Sequence, residues 1–187
     1  SVAGQVNGVE QIVGSDFADS LTSFGEINKI NGAGGDDTLT GFQATILGGA
    51  GQDILNGSLA DLDGGSGKDV LTGYSCTMNG GAGADHLVGT TTFDVFQFDE
   101  TARNGVDKIE NLQNYHVIDL SRIDADVNTA GDQAFTRVAG FSGDAGQALM
   151  TFDGKITLLM LDTDGDAAPD IFIRILGDHT AFSNFVL

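Results

Sequence analysis

Four aspartates, Asp37, Asp53, Asp69 and Asp85, recur at intervals of 16 residues, each in the same setting. Five residues before them stand Gly32, Gly48, Gly64 and Gly80; two before them stand Gly35, Gly51, Gly67 and Gly83. The residues between are Ala33 and Gly34, Gly49 and Ala50, Gly65 and Ser66, and Gly81 and Ala82. Glycine lets a turn visit positive φ and brings carbonyl oxygens to places where a Cβ would clash. A carboxylate and converging carbonyls are the ligands of a hard cation: calcium takes six to eight oxygens at roughly 2.3–2.6 Å. The whole set is therefore the first candidate metal centre.

A second acidic loop runs Asp162-Thr163-Asp164-Gly165-Asp166-Ala167-Ala168-Pro169-Asp170 between two apolar, strand-like runs. Asp162, Asp164, Asp166 and Asp170 occupy positions 1, 3, 5 and 9, an order in which a loop wraps oxygens around calcium. The same residues also make a good solvated turn. Ala167 stands where such calcium loops usually have Gly.

What positions the first set is a repeat. Aligned on the aspartates, the segments read GAGGDDTLT, GGAGQDILN, GGSGKDVLT and GGAGADHLV. They fit the nonapeptide G-G-x-G-x-D-x-U-x, and the chain here resembles the calcium-binding β-roll of repeats-in-toxin proteins. Seven-residue segments separate the nonapeptides, so one solenoid turn is 16 residues. The family's usual turn is two nonapeptides, and the shortened alternate halves imply calcium along one edge only. Position eight, Leu39, Leu55, Leu71 and Leu87, should point into the roll. Ile46, Leu62 and Met78 make a second inward ladder on the opposite side, and Ala44, Ala60, Cys76 and Thr92 a third, of small residues. Gly14 to Thr22, GSDFADSLT, reads as a degenerate first coil or N-terminal cap, with Asp19 at most a weak ligand.

Beyond residue 92 the sequence turns aromatic and alternating. Ile118-Asp119-Leu120-Ser121, Ile123-Asp124-Ala125 and Ala130-Gly131-Asp132-Gln133-Ala134-Phe135 resemble the C-terminal module of serralysin-type metalloproteases. That resemblance implies a small β-sandwich closing the roll and an uncleaved type I secretion signal, which the apolar Phe185-Val186-Leu187 end fits. The expected fold is all-β: a right-handed parallel β-roll capped by a C-terminal β-sandwich. Its parts are a cap over 1–30, the roll over 31–92 and the sandwich over 93–187.

Composition narrows the function. Eight Lys and Arg against 27 Asp and Glu give a formal charge of −19, which argues against nucleic acid and anionic membranes as partners. No apolar run approaches the roughly 20 residues of a membrane helix, and no Sec-type leader is visible. A single cysteine, Cys76, excludes an internal disulfide. His86, His116 and His179 lie far apart, none within H-E-x-x-H, and no G-x-S-x-G elbow occurs. His86, at position seven of a repeat, should face solvent. The expectation is a non-catalytic, secreted module that binds several calcium ions and engages type I export machinery as part of a larger hydrolase. The alternatives are a polysaccharide-binding module, alginate being the model ligand, and the end of a surface adhesin. A polyuronate would need a basic groove, and eight cations scattered along the chain argue against one.

Overall fold

The computed structural model describes residues 10–25 and 28–187. Residues 1–9, on which the expectation about a leader bears, and 26–27 lie outside them. The period of 16 builds two parallel sheets, each turn contributing one strand to each. The first sheet holds, in spatial order, β1 (Gln11–Val13), β3 (Lys29–Gly34), β5 (Thr45–Ala50), β7 (Asp61–Gly67), β9 (Thr77–Asn79), β12 (Val95–Asp99), β14 (Val117–Arg122) and β19 (Phe185–Val186). The short β10 (Ala82–Gly83) pairs with β7. The second sheet begins with β2 (Ser20–Phe24), β4 (Thr38–Phe42), β6 (Ile54–Ser58), β8 (Val70–Tyr74), β11 (His86–Val88) and β13 (Val106–Glu110). It continues through β18 (Ile171–Leu176), β17 (Ile156–Asp162), β16 (Gln147–Phe152) and β15 (Thr136–Val138).

Register follows the repeat. Leu39, Leu55 and Leu71 pair in line, Leu87 follows Leu71, and Ile109 follows Leu87; all five are fully buried. On the facing sheet Ile30, Ile46, Leu62, Met78, Phe96 and Ile118 make the matching ladder. Side chains alternate faces along a strand, so a one-residue slip would turn every one of these outward. Within Gly14 to Thr22, Leu21 pairs with Leu39 in the same register.

On the edge opposite the glycine turns, Ala44, Ala60 and Cys76 are buried small residues. Burial pushes the Cys76 thiol up. Thr92 does not continue that ladder. Val95 pairs with Thr77, so Asp94 takes the place after Cys76, because two extra residues enter the turn. Asp94 is fully buried and accepts from the amides of Cys76 (3.0 Å) and Thr90 (2.9 Å) and from the Thr90 hydroxyl (3.1 Å). A carboxylate here closes the turn through these hydrogen bonds, with the buried His116 Nε2 3.7 Å from its Oδ2.

In the C-terminal part, where a capping β-sandwich is expected, the strands extend both sheets of the roll. β13 pairs with β18 in parallel, and β18, β17 and β16 form an antiparallel meander at that end. The tail strand β19 lies along β14, pairing Ile118 with Phe185. Arg137 secures it by donating to the carbonyl of Phe182 (2.7 Å) and stacking over the Phe185 ring. The Phe96–Phe98 and Ile109–Ile118 region carries the same core through to this end.

Candidate metal centre

The glycine turns stack their aspartates into a single file between the sheets. Asp37, Asp53, Asp69 and Asp85 are at most 1% exposed. In each, Oδ1 accepts the backbone N–H of the aspartate one turn earlier. Asp37 to Asp53, Asp53 to Asp69 and Asp69 to Asp85 are all 2.8 Å, and Asp19 donates to Asp37 at 2.7 Å. Oδ2 of all four is buried and has no hydrogen-bond partner. A lone buried carboxylate oxygen costs on the order of 1–3 kcal/mol or more when charged. Neighbouring carboxylates about 4.8 Å apart, the strand spacing, repel by about 3 kcal/mol at an effective dielectric of 20.

Each orphan oxygen faces the first glycine of its own turn. A Cβ built on Gly64 would sit 2.5 Å from both Asp69 Oδ2 and the carbonyl oxygen of Gly80. Gly32 and Gly48 meet the same pair of groups from their own and the following turn, and Gly80 meets Asp85 Oδ2. The first glycine is thus a cradle where a carboxylate oxygen and a carbonyl from the next turn converge. Gly49, Gly65 and Gly81 hold positive φ; Ala33 occupies the same place at φ 78°, a conformation ordinarily left to glycine. The donor set, all oxygen and rigidly placed, fits a hard divalent cation such as calcium.

The electrostatics follow the burial. Desolvation, reinforced by the Asp85 and Asp53 charges, pushes Asp69 up to about 7. Burial likewise raises Asp37, Asp53 and Asp85. Asp19 is the exception: Ser15 donates to its Oδ2 through both amide (2.7 Å) and hydroxyl (2.9 Å), which lowers it.

One member of the file escapes the repeat pattern. Asp107 is buried, accepts the Asp85 N–H at 2.9 Å and is raised to about 7, desolvation again leading. Gly105-Val106-Asp107-Lys108-Ile109 keeps the G-x-D-x-U core of the nonapeptide, at an offset of 22 rather than 16. A 3₁₀ turn, Glu100–Asn104, replaces the glycines upstream of it.

In the second loop the carboxylate oxygens of Asp162, Asp164 and Asp166 lie within 4.8 Å of one another. Asp162 is buried and spends its oxygens on the amides of Gly165 (2.8 Å) and Ala167 (3.1 Å). Asp170 stands apart from the cluster. Its Oδ2 accepts from the Thr163 amide (2.8 Å) and hydroxyl, with the Arg103 guanidinium 3.8 Å away. Ala167 holds φ 66°, where a glycine would be unstrained.

His86 lies on the outward face, partly exposed, and pairs with Glu110 at 2.8 Å. One expectation about basic residues needs correction: the cations scattered in sequence gather in space, where Lys68, Lys108, Lys155 and Arg174 line one open groove of about 650 Å³ on the outer face of the second sheet.

Among curated proteins no sequence match is found. Two solved structures share the outline. The AlgE6R2 subunit of a mannuronan C5-epimerase from Azotobacter vinelandii is 23% identical over 94% of this chain and 91% of its own, with a TM-score of 0.42. The AlgE6R3 subunit from the same organism's epimerase is 23% identical over 99% and 86%, with a TM-score of 0.36. Neither likeness is close enough to carry function. A family model described as peptidase M10 serralysin C terminal matches residues 20–187. With the parallel roll and its in-register repeats, that match is decisive: the chain belongs to the peptidase M10 serralysin C-terminal family.

Proposed function

We propose that this chain is a non-catalytic, calcium-folded module that equips a larger secreted protein for export by the type I route. The observation that carries the reading is the row of four buried, partnerless Oδ2 atoms, each set against a carbonyl oxygen in a glycine cradle. Asp37, Asp53, Asp69 and Asp85 would hold calcium there, with carbonyls of the flanking glycine turns, and Asp107 would extend the file. Bound calcium supplies positive charge between carboxylates that otherwise repel. Asp162, Asp164 and Asp166 are the proposed accessory ligands, with Asp170 bracing the loop.

Such a module couples folding to the medium. A site absent from the unfolded chain returns its binding energy as folding energy. With dissociation constants of roughly 10⁻⁴–10⁻³ M, the range of extracellular calcium modules, mass action favours the unfolded chain in a calcium-poor cytosol and the folded one outside. A transporter that threads unfolded chains needs that order of events. The parent's hydrolase domain is proposed on the strength of the family alone.

Calcium titration followed by circular dichroism and calorimetry tests the reading. The β signal should appear with calcium, and a variant carrying Asp53→Asn and Asp69→Asn should need at least tenfold more. An unchanged spectrum under chelator, or an unchanged titration in the variant, overturns it. Export is tested by fusing a passenger to the chain in a host carrying a type I exporter: secretion is expected, and retention refutes that part.

A further inference from the structure

Four Asn-Gly pairs lie among the described residues: Asn31-Gly32, Asn56-Gly57, Asn79-Gly80 and Asn104-Gly105. Asparagine is a chemically labile side chain, and a following glycine leaves the main-chain nitrogen unshielded by any Cβ. The pairs share that local chemistry and differ in what holds them. Three are locked in the sheets. Asn31 pairs with Val13 on one side and Leu47 on the other, Asn56 with Thr40 and Thr72, and Asn79 with Asp63 and Gln97. A strand flanked on both sides cannot turn one peptide without breaking ladder hydrogen bonds. Two of the side chains are tied as well. Asn31 Oδ1 accepts the Ala33 amide (3.0 Å); Asn79 Oδ1 accepts that of Gly81 (3.1 Å), and its Nδ2 donates to Asp99 (2.8 Å).

Asn104 sits outside both sheets. It is the exposed last residue of the 3₁₀ turn Glu100–Asn104, and such ends fray. Arg103 just before it is anchored to Glu100 (2.7 Å) and Thr163 (3.0 Å), so the freedom falls on the link between Asn104 and Gly105. Gly105 itself admits no other residue, because a Cβ there would fall on the carbonyl oxygen of Gly83. The fold thus demands the labile pair at the one position of the four that no strand holds.

We propose that Asn104 is a site of spontaneous isoaspartate formation, and that this modification detaches Asp107 from the end of the carboxylate file. The nitrogen of Gly105 attacks Asn104 Cγ. The N–Cγ bond forms, the Cγ–Nδ2 bond breaks, and the Gly105 amide proton leaves with the side-chain nitrogen as ammonia. Water then opens the five-membered imide at either carbonyl, giving aspartate or isoaspartate, and no other reactant is needed. Isoaspartate routes the main chain through the side-chain methylene, so the backbone gains one carbon between Arg103 and Gly105. Just downstream, Asp107 accepts the Asp85 amide at 2.9 Å and Lys108 donates to the Asp85 carbonyl at 2.8 Å. With Gly105 packed against Gly83, the added carbon pushes that register out of step. The inference depends on the folded roll and not on what the aspartate file binds.

The test incubates the full chain, in excess calcium at pH 8, and follows each Asn-Gly pair by peptide mass spectrometry, with isoaspartyl and aspartyl peptides separated by chromatography. Asn104 should convert at least tenfold faster than Asn31, Asn56 and Asn79, with isoaspartate among its products. In guanidinium chloride, where no strand protects any pair, the four should convert at similar rates. Asn104→Gln, at an exposed position, would have to close a six-membered ring and should stop conversion there while leaving the fold intact. Amide NMR of the aged wild-type chain should show Val106 to Ile109 moved and Leu39 and Leu55 in place, and the aged Asn104→Gln chain should show neither change. An Asn104 that survives while another pair converts overturns the proposal. The same ranking in guanidinium chloride overturns it too, since local sequence and not the fold would then select the site. Isoaspartate at 104 with Val106 to Ile109 unmoved overturns the link to Asp107.

Discussion

Replacing Asp69 with Asn should change the stability of the roll in opposite directions with and without calcium. The asparagine keeps the Oδ1 that accepts the Asp53 amide at 2.8 Å and removes the charge whose burial is uncompensated. Asp69 rises from 3.8 to about 7 in the metal-free fold. An acid raised on folding adds stability that is fully present below its unfolded value and lost as pH climbs through its folded value. At pH 7.5 the ionised Asp69 therefore costs the metal-free roll about 4 kcal/mol, at 1.36 kcal/mol per unit. At pH 5, where only the unfolded chain has released the proton, the cost falls to about 1.6 kcal/mol. Asp69→Asn should recover most of this: about 2–4 kcal/mol at pH 7.5 and no more than about half of that at pH 5. In calcium the sign reverses, since the variant loses a ligand and leaves the carbonyl of Gly80 without its partner oxygen.

The assay is circular dichroism of calcium-free protein at the two pH values, folded by titration with a stabilising osmolyte such as sucrose, and urea unfolding of calcium-saturated protein at pH 7.5. Metal-free stabilisation that shrinks on acidification, together with calcium-bound destabilisation, is the expected pair. A variant less stable than wild type in the metal-free state at pH 7.5 would refute the electrostatic reasoning. So would equal effects at pH 5 and pH 7.5, because a packing change has no reason to titrate.

Two further substitutions separate the edges of the roll. Ala33→Gly relieves a non-glycine residue at φ 78° and should raise stability by about 0.5–1 kcal/mol, the left-handed cost less the entropy of a freer unfolded chain; a lower midpoint in urea would contradict this. Asp94→Ala strips the acceptor from the Cys76 and Thr90 amides and should cost about 2–3 kcal/mol. The number of calcium ions bound should be unchanged, and fewer ions bound at saturation in calorimetry would show that the opposite edge also takes part in ion binding.

The parts of the molecule legible in the sequence are those fixed by a constant period. Leu39, Leu55, Leu71 and Leu87 fall in one buried column because each parallel pairing repeats the same register. Where the period changes, legibility fails for a local reason. Asp94 displaces Thr92 because the closing turn gains two residues, and Asp107 is hidden because a 3₁₀ turn lengthens its coil to 22 residues. The groove fails to show for a different reason. Lys108 and Arg174 become neighbours only because β18 returns to pair with β13 across 66 residues of intervening fold, and no local pattern announces a parallel pairing at that distance. The same pairing carries the meander onto the roll's own sheet, a continuity that the resemblance alone does not specify.

That pairing also explains why the carboxylate file ends where it does. The next place after Asp107 in the register belongs to Ile173, fully buried, so the C-terminal meander stops the file with an apolar plug. At the other end Ser15 donates to Asp19 Oδ2 through amide and hydroxyl and holds its pKa low, so that oxygen has partners within the chain. Among the described residues, only the carboxylates of Asp37, Asp53, Asp69 and Asp85 keep a buried oxygen with no protein partner. The orphan oxygens are therefore confined to a stretch closed at both ends by the chain's own side chains, the stretch in which calcium is proposed to bind. A solenoid made of identical turns would have no reason to stop. Here Ser15 and Ile173 set the length of the file, and with it the span open to the proposed ions.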